Sequence, residues 1–270
     1  QAQGFHPLMV FDGMTGDCLK VELRAGNVYT SRNIVSFIGP LLSHYQKRFP
    51  SSYRIVRGDS GFAHKELYKL CETLNTNYVI RLKANATLYR LAKEVMDVFL
   101  EECSLQYSQQ FYGEFEYQAK SWDWPRRVIV QVRRKAGELI PDYLFLVTNM
   151  ETRPEMVISL YAKRGTMENY IKECKNGFRM DKVSHKHWMT NVNRIQLMVL
   201  AYNLINGFRR LTLPHEFSKM QIETLRIKLI KIAAKRVKQS RRIMFKLCSH
   251  HPYKEVFHHC LKTIQAIQLE

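Results

Sequence analysis

The segment spanning residues 161–175, YAKRGTMENYIKECK, combines residue types that could act on a phosphate group. Because an α-helix turns by about 100° per residue, four of its side chains would fall within an arc of roughly 60° on one helical face. These four are Tyr161, Arg164, Glu168 and Lys175. A carboxylate beside two cations suits holding a metal ion next to phosphate oxygens. The spacing therefore predicts phosphate chemistry on one helix.

A separate apolar stripe on the same segment predicts how that helix is anchored. Its members recur at the intervals of a core-facing helix and are Met167, Tyr170, Ile171, Cys174 and Phe178. A second acid, Glu173, projects well over 100° away from the chemical face, which makes it the weaker candidate.

Asp59 is the second candidate for chemistry. It follows a short apolar run, YRIVR at residues 53–57, and is flanked by Gly58 and Gly61. Open α/β sheets place their ligands at the carboxyl ends of strands, and glycines let a substrate approach closely. Converging carboxylates suit Mg²⁺, and two such ions about 4 Å apart serve phosphodiester chemistry. Asp59 and Glu168 are therefore predicted to converge through the fold.

Each of these residues also has a simpler interpretation. Asp59 could be a turn or helix-cap residue, because Asp-Ser-Gly before a helix is common capping chemistry. Glu168 could be a solvated glutamate, and Arg164 and Lys175 could decorate a basic surface. The combination of the four-residue stripe, the acid at a strand end and a large positive charge favours chemistry.

Composition indicates the kind of partner. The chain has 42 Lys and Arg against 24 Asp and Glu, a formal charge of +18, which implies a polyanion such as nucleic acid. The sequence contains no run of about 18 apolar residues, so it predicts no membrane span. Six cysteines without a CxxC pair predict reduced thiols in a cytoplasm.

The order of predicted elements is β-β-α-β-α-β up to residue 82, an α/β pattern. Strand-like runs around 111–121, 128–132 and 143–147 then predict a β-rich insertion over residues 86–150. The signature helix and another apolar helix from Asn193 to Phe208 follow. Residues 217–247 are predicted to be helical and very basic.

The signature resembles that of a known family. YAKRGTMENYIKECK is similar to the Tyr-Arg-Glu-Lys signature of DDE-type bacterial insertion-sequence transposases, the cut-and-paste group. VRGDSGFAHKELY resembles the segment around that family's second catalytic Asp. GFHPLMVFDGMTGDCLKVELRAGN and ETLRIKLIKIAAKRVKQSRRI also resemble members of the group, so the likeness covers most of the chain.

The resemblance implies roles for the candidate residues. Asp59 and Glu168 would be the second and third catalytic carboxylates and would bind Mg²⁺, with two ions in the intact enzyme and Mn²⁺ possible. Tyr161, Arg164 and Lys175 would bind phosphates of DNA at a transposon end. The enzyme would act on transposon ends and target DNA as a homodimer, in the bacterial cytoplasm near the nucleoid.

The resemblance also implies an RNase H-like mixed sheet with a β-rich insertion before the catalytic Glu and a basic helical tail. We expect residues 1–85 to form the first part of the catalytic domain, 86–150 the insertion, 151–210 the remainder and 211–270 the tail. Two strands rather than three precede the helix at Ser31, so we expect the first strand and the first Asp upstream of Gln1. The chain would then lack one metal ligand and be inactive, with Asp12 the one weak replacement.

Two alternatives to a transposase stay open at this point. One is an RNase H-like nuclease or junction resolvase, which strand transfer to target DNA would exclude. The other is a catalytically dead DNA-binding remnant, which an upstream strand ending in Asp would argue against.

Overall fold

The computed structural model describes residues 4–101, 106–182, 185–239 and 242–268. The chain divides into two compact units. One, here called the sheet unit, comprises Asn27–Gly165. The other, the terminal unit, is built from both ends of the chain, Gln1–Gly26 and Thr166–Glu270.

The sheet unit alternates helices and strands at first and then adds three consecutive strands. Its elements are α1 (Ile34–Arg48), β3 (Ile55–Gly58), a 3-10 turn (Ser60–Phe62), α2 (Lys65–Thr73), β4 (Asn77–Arg81), α3 (Ala86–Glu101), β5 (Gln109–Tyr117), β6 (Arg126–Arg134), β7 (Asp142–Thr148) and α4 (Pro154–Ala162). The predicted strands and helices of this part are confirmed, with ends shifted by a few residues.

One five-stranded mixed sheet organises this unit, in the order β3-β4-β7-β6-β5. β3 and β4 run parallel, and the other neighbours are antiparallel. The three strands from residues 86–150 thus pair into the same sheet as β3 and β4. This mixed α/β architecture is compatible with the RNase H-like expectation.

Apolar strand residues and α4 form a core of the sheet unit. Val79, Ile129 and Leu146 are fully buried in three adjacent strands, and Val157 of α4 packs against them. β3 at the edge of the sheet contributes Ile55 to the same core. This packing fixes the end of β3, where Asp59 follows.

The terminal unit combines a hairpin at the start of the chain with helices from its second half. Its elements are β1 (Leu8–Phe11), β2 (Cys18–Glu22), α5 (Gly165–Phe178), α6 (Trp188–Thr212), a 3-10 turn (His215–Phe217), α7 (Ile222–Leu225) with a π-helical turn (Arg226–Ile230), β8 (Ala234–Gln239), β9 (Arg242–Leu247) and α8 (Lys254–Ala266). β1 and β2 pair antiparallel.

Polar side chains of α6 bind the backbone of the β1–β2 hairpin. Asn203 accepts a bond from the Cys18 amide at 2.8 Å and donates to the Cys18 carbonyl at 2.9 Å. The Tyr202 hydroxyl and the Asn206 amide both donate to the Gly16 carbonyl, at 2.9 and 3.1 Å. These bonds satisfy backbone groups of a two-stranded sheet that has no third strand among the described residues.

The prediction of a wholly helical tail is wrong for residues 234–247. There, β8 and β9 form an antiparallel hairpin in which Ala234 pairs with Leu247 and Gln239 with Arg242. The helical period of the tail ends at Ala233, and Ile243, Phe245 and Leu247 then alternate with a period of two, which suits a strand. The many interspersed Lys and Arg side chains obscured this change of period.

In the described part of the chain, no helix is long and apolar enough to cross a membrane. The cysteines there are free: Cys18, Cys71, Cys174 and Cys260 are buried and Cys248 is exposed. Cys103 lies outside the described residues. Burial raises the pKa of the Cys18 and Cys71 thiols to about 12, so both are held in the neutral form.

Candidate functional site

Asp59 lies immediately after β3, at the carboxyl end of that strand. Its backbone is extended, and its Oδ1 accepts a bond from the Gly61 amide at 2.9 Å. Asp59 therefore caps the 3-10 turn Ser60–Phe62, and the capping interpretation from the sequence is confirmed. Capping uses one carboxylate oxygen and leaves the other for a second partner.

Gly61 allows this close approach. A Cβ added at Gly61 would lie 3.0 Å from Oδ1 of Asp59 and 3.1 Å from Cβ of Thr30. Any larger residue would push either the carboxylate or the Thr30 side chain away. Gly61, expected from the sequence to let a substrate approach closely, thus leaves room for the Asp59 carboxylate in its capping position.

Arg164 is the second partner of Asp59. Its Nη2 donates to Oδ2 of Asp59 at 3.0 Å, and the two side chains are 20 % and 41 % exposed. A further bond ties the same region together, because Nη1 of Arg57 donates to the carbonyl of Leu160 at 2.9 Å. The strand-end acid and an arginine of the signature, 105 positions apart in the sequence, therefore meet within the sheet unit.

The signature does not form one continuous helix, so the prediction of a single helical face for all four residues is wrong. α4 ends at Ala162 and α5 begins at Gly165. At the break, the Arg164 amide donates to the Tyr161 carbonyl at 2.8 Å, a tight turn in place of a helical bond. Gly165 explains the break, since glycine is the poorest helix former after proline.

Tyr161 belongs to α4, where it is half-buried against the core of the sheet unit. Glu168 and Lys175 belong to α5 in the terminal unit, and both are exposed. Seven residues apart, these two project from nearly the same face of α5. The sheet unit thus brings Asp59 and Arg164 into contact, and the terminal unit presents Glu168 and Lys175 together.

The predicted anchoring stripe of α5 agrees with the structure. Cys174 is buried in a core of the terminal unit, and Tyr170 and Phe178 pack against it. Glu168 and Lys175 lie away from this contact, on the exposed side of the helix.

Glu173 is a structural acid, which the sequence does not reveal. Both its oxygens are engaged by Arg209, with Nη1 to Oε2 at 3.1 Å and a second contact from Nη2 to Oε1. Oε1 also accepts a bond from the Ile222 amide at 2.8 Å. The two side chains are each 11 % exposed. The helical angle correctly separated Glu173 from the chemical face, but its partner is distant in the sequence.

Asp12, the weak replacement for a first carboxylate, shapes the loop between β1 and β2. Its Oδ1 accepts bonds from the amides of Met14 at 2.7 Å and Thr15 at 3.4 Å. This is an ordinary turn role for an Asp.

The donor chemistry of the candidate acids fits a hard divalent cation. A carboxylate has about four lone-pair sites, and the two bonds to Asp59 use two of them. Carboxylate oxygens on partly exposed side chains are the ligands that Mg²⁺ prefers. Among the described residues, however, no group of three or more His, Cys, Asp or Glu side chains is placed to hold a metal.

Comparison with known proteins identifies the family of the chain. No curated protein matches the chain. The family described as transposase DDE domain group 1 matches residues 1–269, nearly the whole sequence. Proteins of this kind are polynucleotidyl transferases that act on DNA and generally use divalent metal ions. The chain belongs to the transposase DDE domain family, group 1.

Proposed function

We propose that this transposase domain cleaves the phosphodiester bond at transposon ends and transfers the freed strand to target DNA, with divalent metal ions bound by Asp59 and Glu168. One observation carries the proposal: Arg164 of the signature bonds Asp59 at the carboxyl end of β3, at 3.0 Å. A cation that would bind phosphate and a candidate metal ligand thus lie side by side, an arrangement that would stabilise charge developing at a phosphate.

The two acids have matching roles in the proposal. Asp59 follows a buried strand of the sheet unit, and Glu168 lies in the first turn of α5. Both offer hard oxygen ligands, so together they would hold Mg²⁺, or Mn²⁺ in its place. Such ions, when bound, neutralise phosphate charge and lower the pKa of an attacking water.

Arg164 has enough donors to serve both the acid and DNA. A guanidinium carries five N–H groups in a planar fork, more than a carboxylate can accept. One Nη2–H bonds Asp59, and in the proposal a phosphate oxygen of bound DNA would accept from another N–H of the same plane. Arg164 would therefore align the scissile phosphate with Asp59.

Lys175 and Tyr161 complete the proposed DNA contacts. Lys175 is exposed on the same face of α5 as Glu168, so its ammonium would bind a phosphate beside the one at Glu168. Tyr161 is half-buried against the core, which would hold its ring steady while its hydroxyl bonds a phosphate. The basic tail would contact the DNA backbone and help to bring two copies together as a homodimer on DNA.

The reaction consists of two in-line displacements at phosphorus. Water attacks the phosphodiester at the transposon end, and the 3′-oxygen of the transposon strand leaves and is protonated. That 3′-hydroxyl then attacks a phosphodiester of the target DNA, joins to it and releases another 3′-hydroxyl. Little covalent chemistry falls to the protein, so positioning and charge stabilisation dominate. The strand-transfer step distinguishes this function from that of a nuclease or resolvase.

Glu168→Gln, introduced into the intact enzyme, tests the assignment most directly. The amide keeps the size of the side chain but loses the anionic ligand, so we expect cleavage of transposon-end DNA to be abolished. Affinity for the same DNA without metal should stay unchanged, because Glu168 is not a proposed DNA-binding group. Binding of Mn²⁺ followed by calorimetry should weaken in parallel with cleavage.

Glu223→Gln is a matched control, since Glu223 is also exposed and lies in the first turn of a helix of the terminal unit. It should leave cleavage, Mn²⁺ binding and DNA binding unchanged. Full cleavage by the Glu168→Gln protein would refute its role as a metal ligand.

A further inference from the structure

The β8–β9 hairpin is the largest feature of the fold that the proposed catalysis does not use. All described side chains of β8 and β9 are exposed except Val237, which is half-buried. An isolated two-stranded hairpin is marginally stable in water, so such a ribbon usually has a partner on one face. What each of its two faces carries decides which partner fits.

One face of the hairpin is directed toward α8. Phe245 and Leu247 line a cavity of about 300 Å³ together with Phe257 and His258 of α8. Side chains alternate across a strand, so Met244 and Lys246 project from the opposite face. Cross-strand pairing places Lys235 opposite Lys246 and Val237 opposite Met244 on that outward face.

The outward face is strongly cationic and has no acid nearby in the sequence. Between residues 224 and 254 there are ten Lys and Arg and no Asp or Glu. Within the described part of the chain, Lys235, Lys246 and Arg242 form no ion pair. Like charges directly opposite each other destabilise a pair of strands, so the Lys235–Lys246 pair costs stability in the free protein. A polyanion on this face would offset that cost.

Spacing along the ribbon suits a groove of duplex DNA. Arg242 lies on the same outward face as Lys246, four residues away, or about 14 Å at 3.4 Å per residue. The major groove of B-DNA is about 12 Å wide and admits a two-stranded β-ribbon. The Val237–Met244 pair lies between the two cationic ends and would meet the floor of the groove.

We propose that the β8–β9 hairpin is a duplex-DNA-binding ribbon that enters the major groove with its outward face, with Lys235, Lys246 and Arg242 on the phosphate walls. The proposal rests on the proposed function in that it takes DNA as the substrate. It adds a contact surface, a face of that surface and a groove. The hairpin would contribute no group to the reaction.

The test measures binding of the 270-residue chain to a short DNA duplex without transposon-end sequence, across a series of salt concentrations. Each phosphate contact contributes about 0.9 to the slope of log affinity against log salt. K235Q/K246Q should therefore lower that slope by about 1.8. The control K172Q/K186Q removes the same charge from exposed positions of the same unit outside the basic tail and should leave the slope within error of the parent. Circular dichroism checks that each variant is folded.

Competition identifies the groove. Methyl green, which occupies the major groove, should displace the parent chain, and netropsin, which occupies the minor groove, should not. Displacement by netropsin alone would overturn the groove assignment. It would also be overturned if K235Q/K246Q lost as much affinity for an RNA duplex as for the DNA duplex.

The outcomes separate this inference from the proposed function. If the parent chain binds duplex DNA and K235Q/K246Q behaves as the parent, or no differently from K172Q/K186Q, the hairpin proposal alone is overturned. A parent chain that binds no duplex overturns both. If K235Q/K246Q lost self-association but bound DNA as the parent does, the outward face would be a contact between copies, and the proposal would also be overturned.

Discussion

Two carboxylate–arginine pairs in this chain differ in burial and in the number of bonds that hold the acid. Glu173 and Arg209 are each 11 % exposed, and three contacts engage the two Glu173 oxygens. Asp59 is 41 % exposed and is held by one arginine contact and one local amide. The oxygens of Glu173 are all engaged in contacts within the fold, whereas Asp59 keeps lone pairs and access to solvent. The difference separates a structural carboxylate from one available for chemistry.

This contrast explains why two acids five residues apart on α5 have different roles. Glu173 faces α6 and ties it to the start of α7 through the Ile222 amide. Glu168 is exposed in the first turn of the helix, where a negative charge is favourable next to the helix N-terminus. A metal ligand must be able to exchange partners, and of the two acids Glu168 has the exposure that this requires.

The largest expected effect on stability comes from breaking the buried pair. Glu173→Gln leaves Arg209 without its anionic partner, and loss of one partner of a buried pair costs about 3–5 kcal/mol. Urea unfolding followed by circular dichroism measures this cost. Glu168→Gln on the same helix is the matched comparison and should cost less, because Glu168 is exposed whereas Glu173 is buried to about nine-tenths. Equal costs for the two variants would remove the distinction between the acids.

A smaller effect is expected from crowding Asp59. In Gly61→Ala, the new Cβ would lie 3.0 Å from Oδ1 of Asp59, so the carboxylate must move and the capping bond to the Gly61 amide weakens. Loss of a cap costs about 1 kcal/mol, which urea unfolding can detect. Gly165→Ala is the control, because no atom lies within 4 Å of a Cβ added there.

Ala at position 165 should be neutral or stabilising, since alanine is the better helix former. A Gly61→Ala protein as stable as the parent would mean that the Asp59 carboxylate is not fixed by this turn.

How much of this comparison could be predicted from the sequence depends on the range of the interactions. Asp59 at a strand end and its capping bond follow from neighbours within a few positions, and both were predictable. The Arg209 partner of Glu173 and the Arg164 partner of Asp59 arise from contacts over 36 and 105 positions, which no local pattern encodes. The helix break before Gly165 is local, but the apolar periodicity continues across it and so predicts one unbroken helix. The resemblance supplied Arg164 as a phosphate-binding residue and gave no indication of its contact with Asp59.

The hairpin at 234–247 is not predictable from the sequence for a different reason. Lys and Arg are compatible with helices and with exposed strands, so a run rich in them carries little information on the period. Of the six residues of β9, only Ile243, Phe245 and Leu247 show the alternation, and the apolar Met244 between them blurs it. The same cations that obscure the strand pattern in the sequence make the outward face of the hairpin the proposed DNA-binding surface.

The smallest effect on stability is expected where the effect on function should be greatest. Asp59→Asn keeps an oxygen for the Gly61 amide and loses the charge that attracts Arg164. An exposed ion pair contributes about 0.2–1 kcal/mol, so the free energy of unfolding should fall by no more than that. Asp142→Asn, at an exposed position of the same unit, is the control and should have no effect on stability or activity. Cleavage of transposon-end DNA by Asp59→Asn should nevertheless be lost, because the amide is a poor ligand for a divalent ion. A loss of several kcal/mol would instead place Asp59 with Glu173 among the structural acids, and the contrast between the two pairs would no longer mark the reactive site.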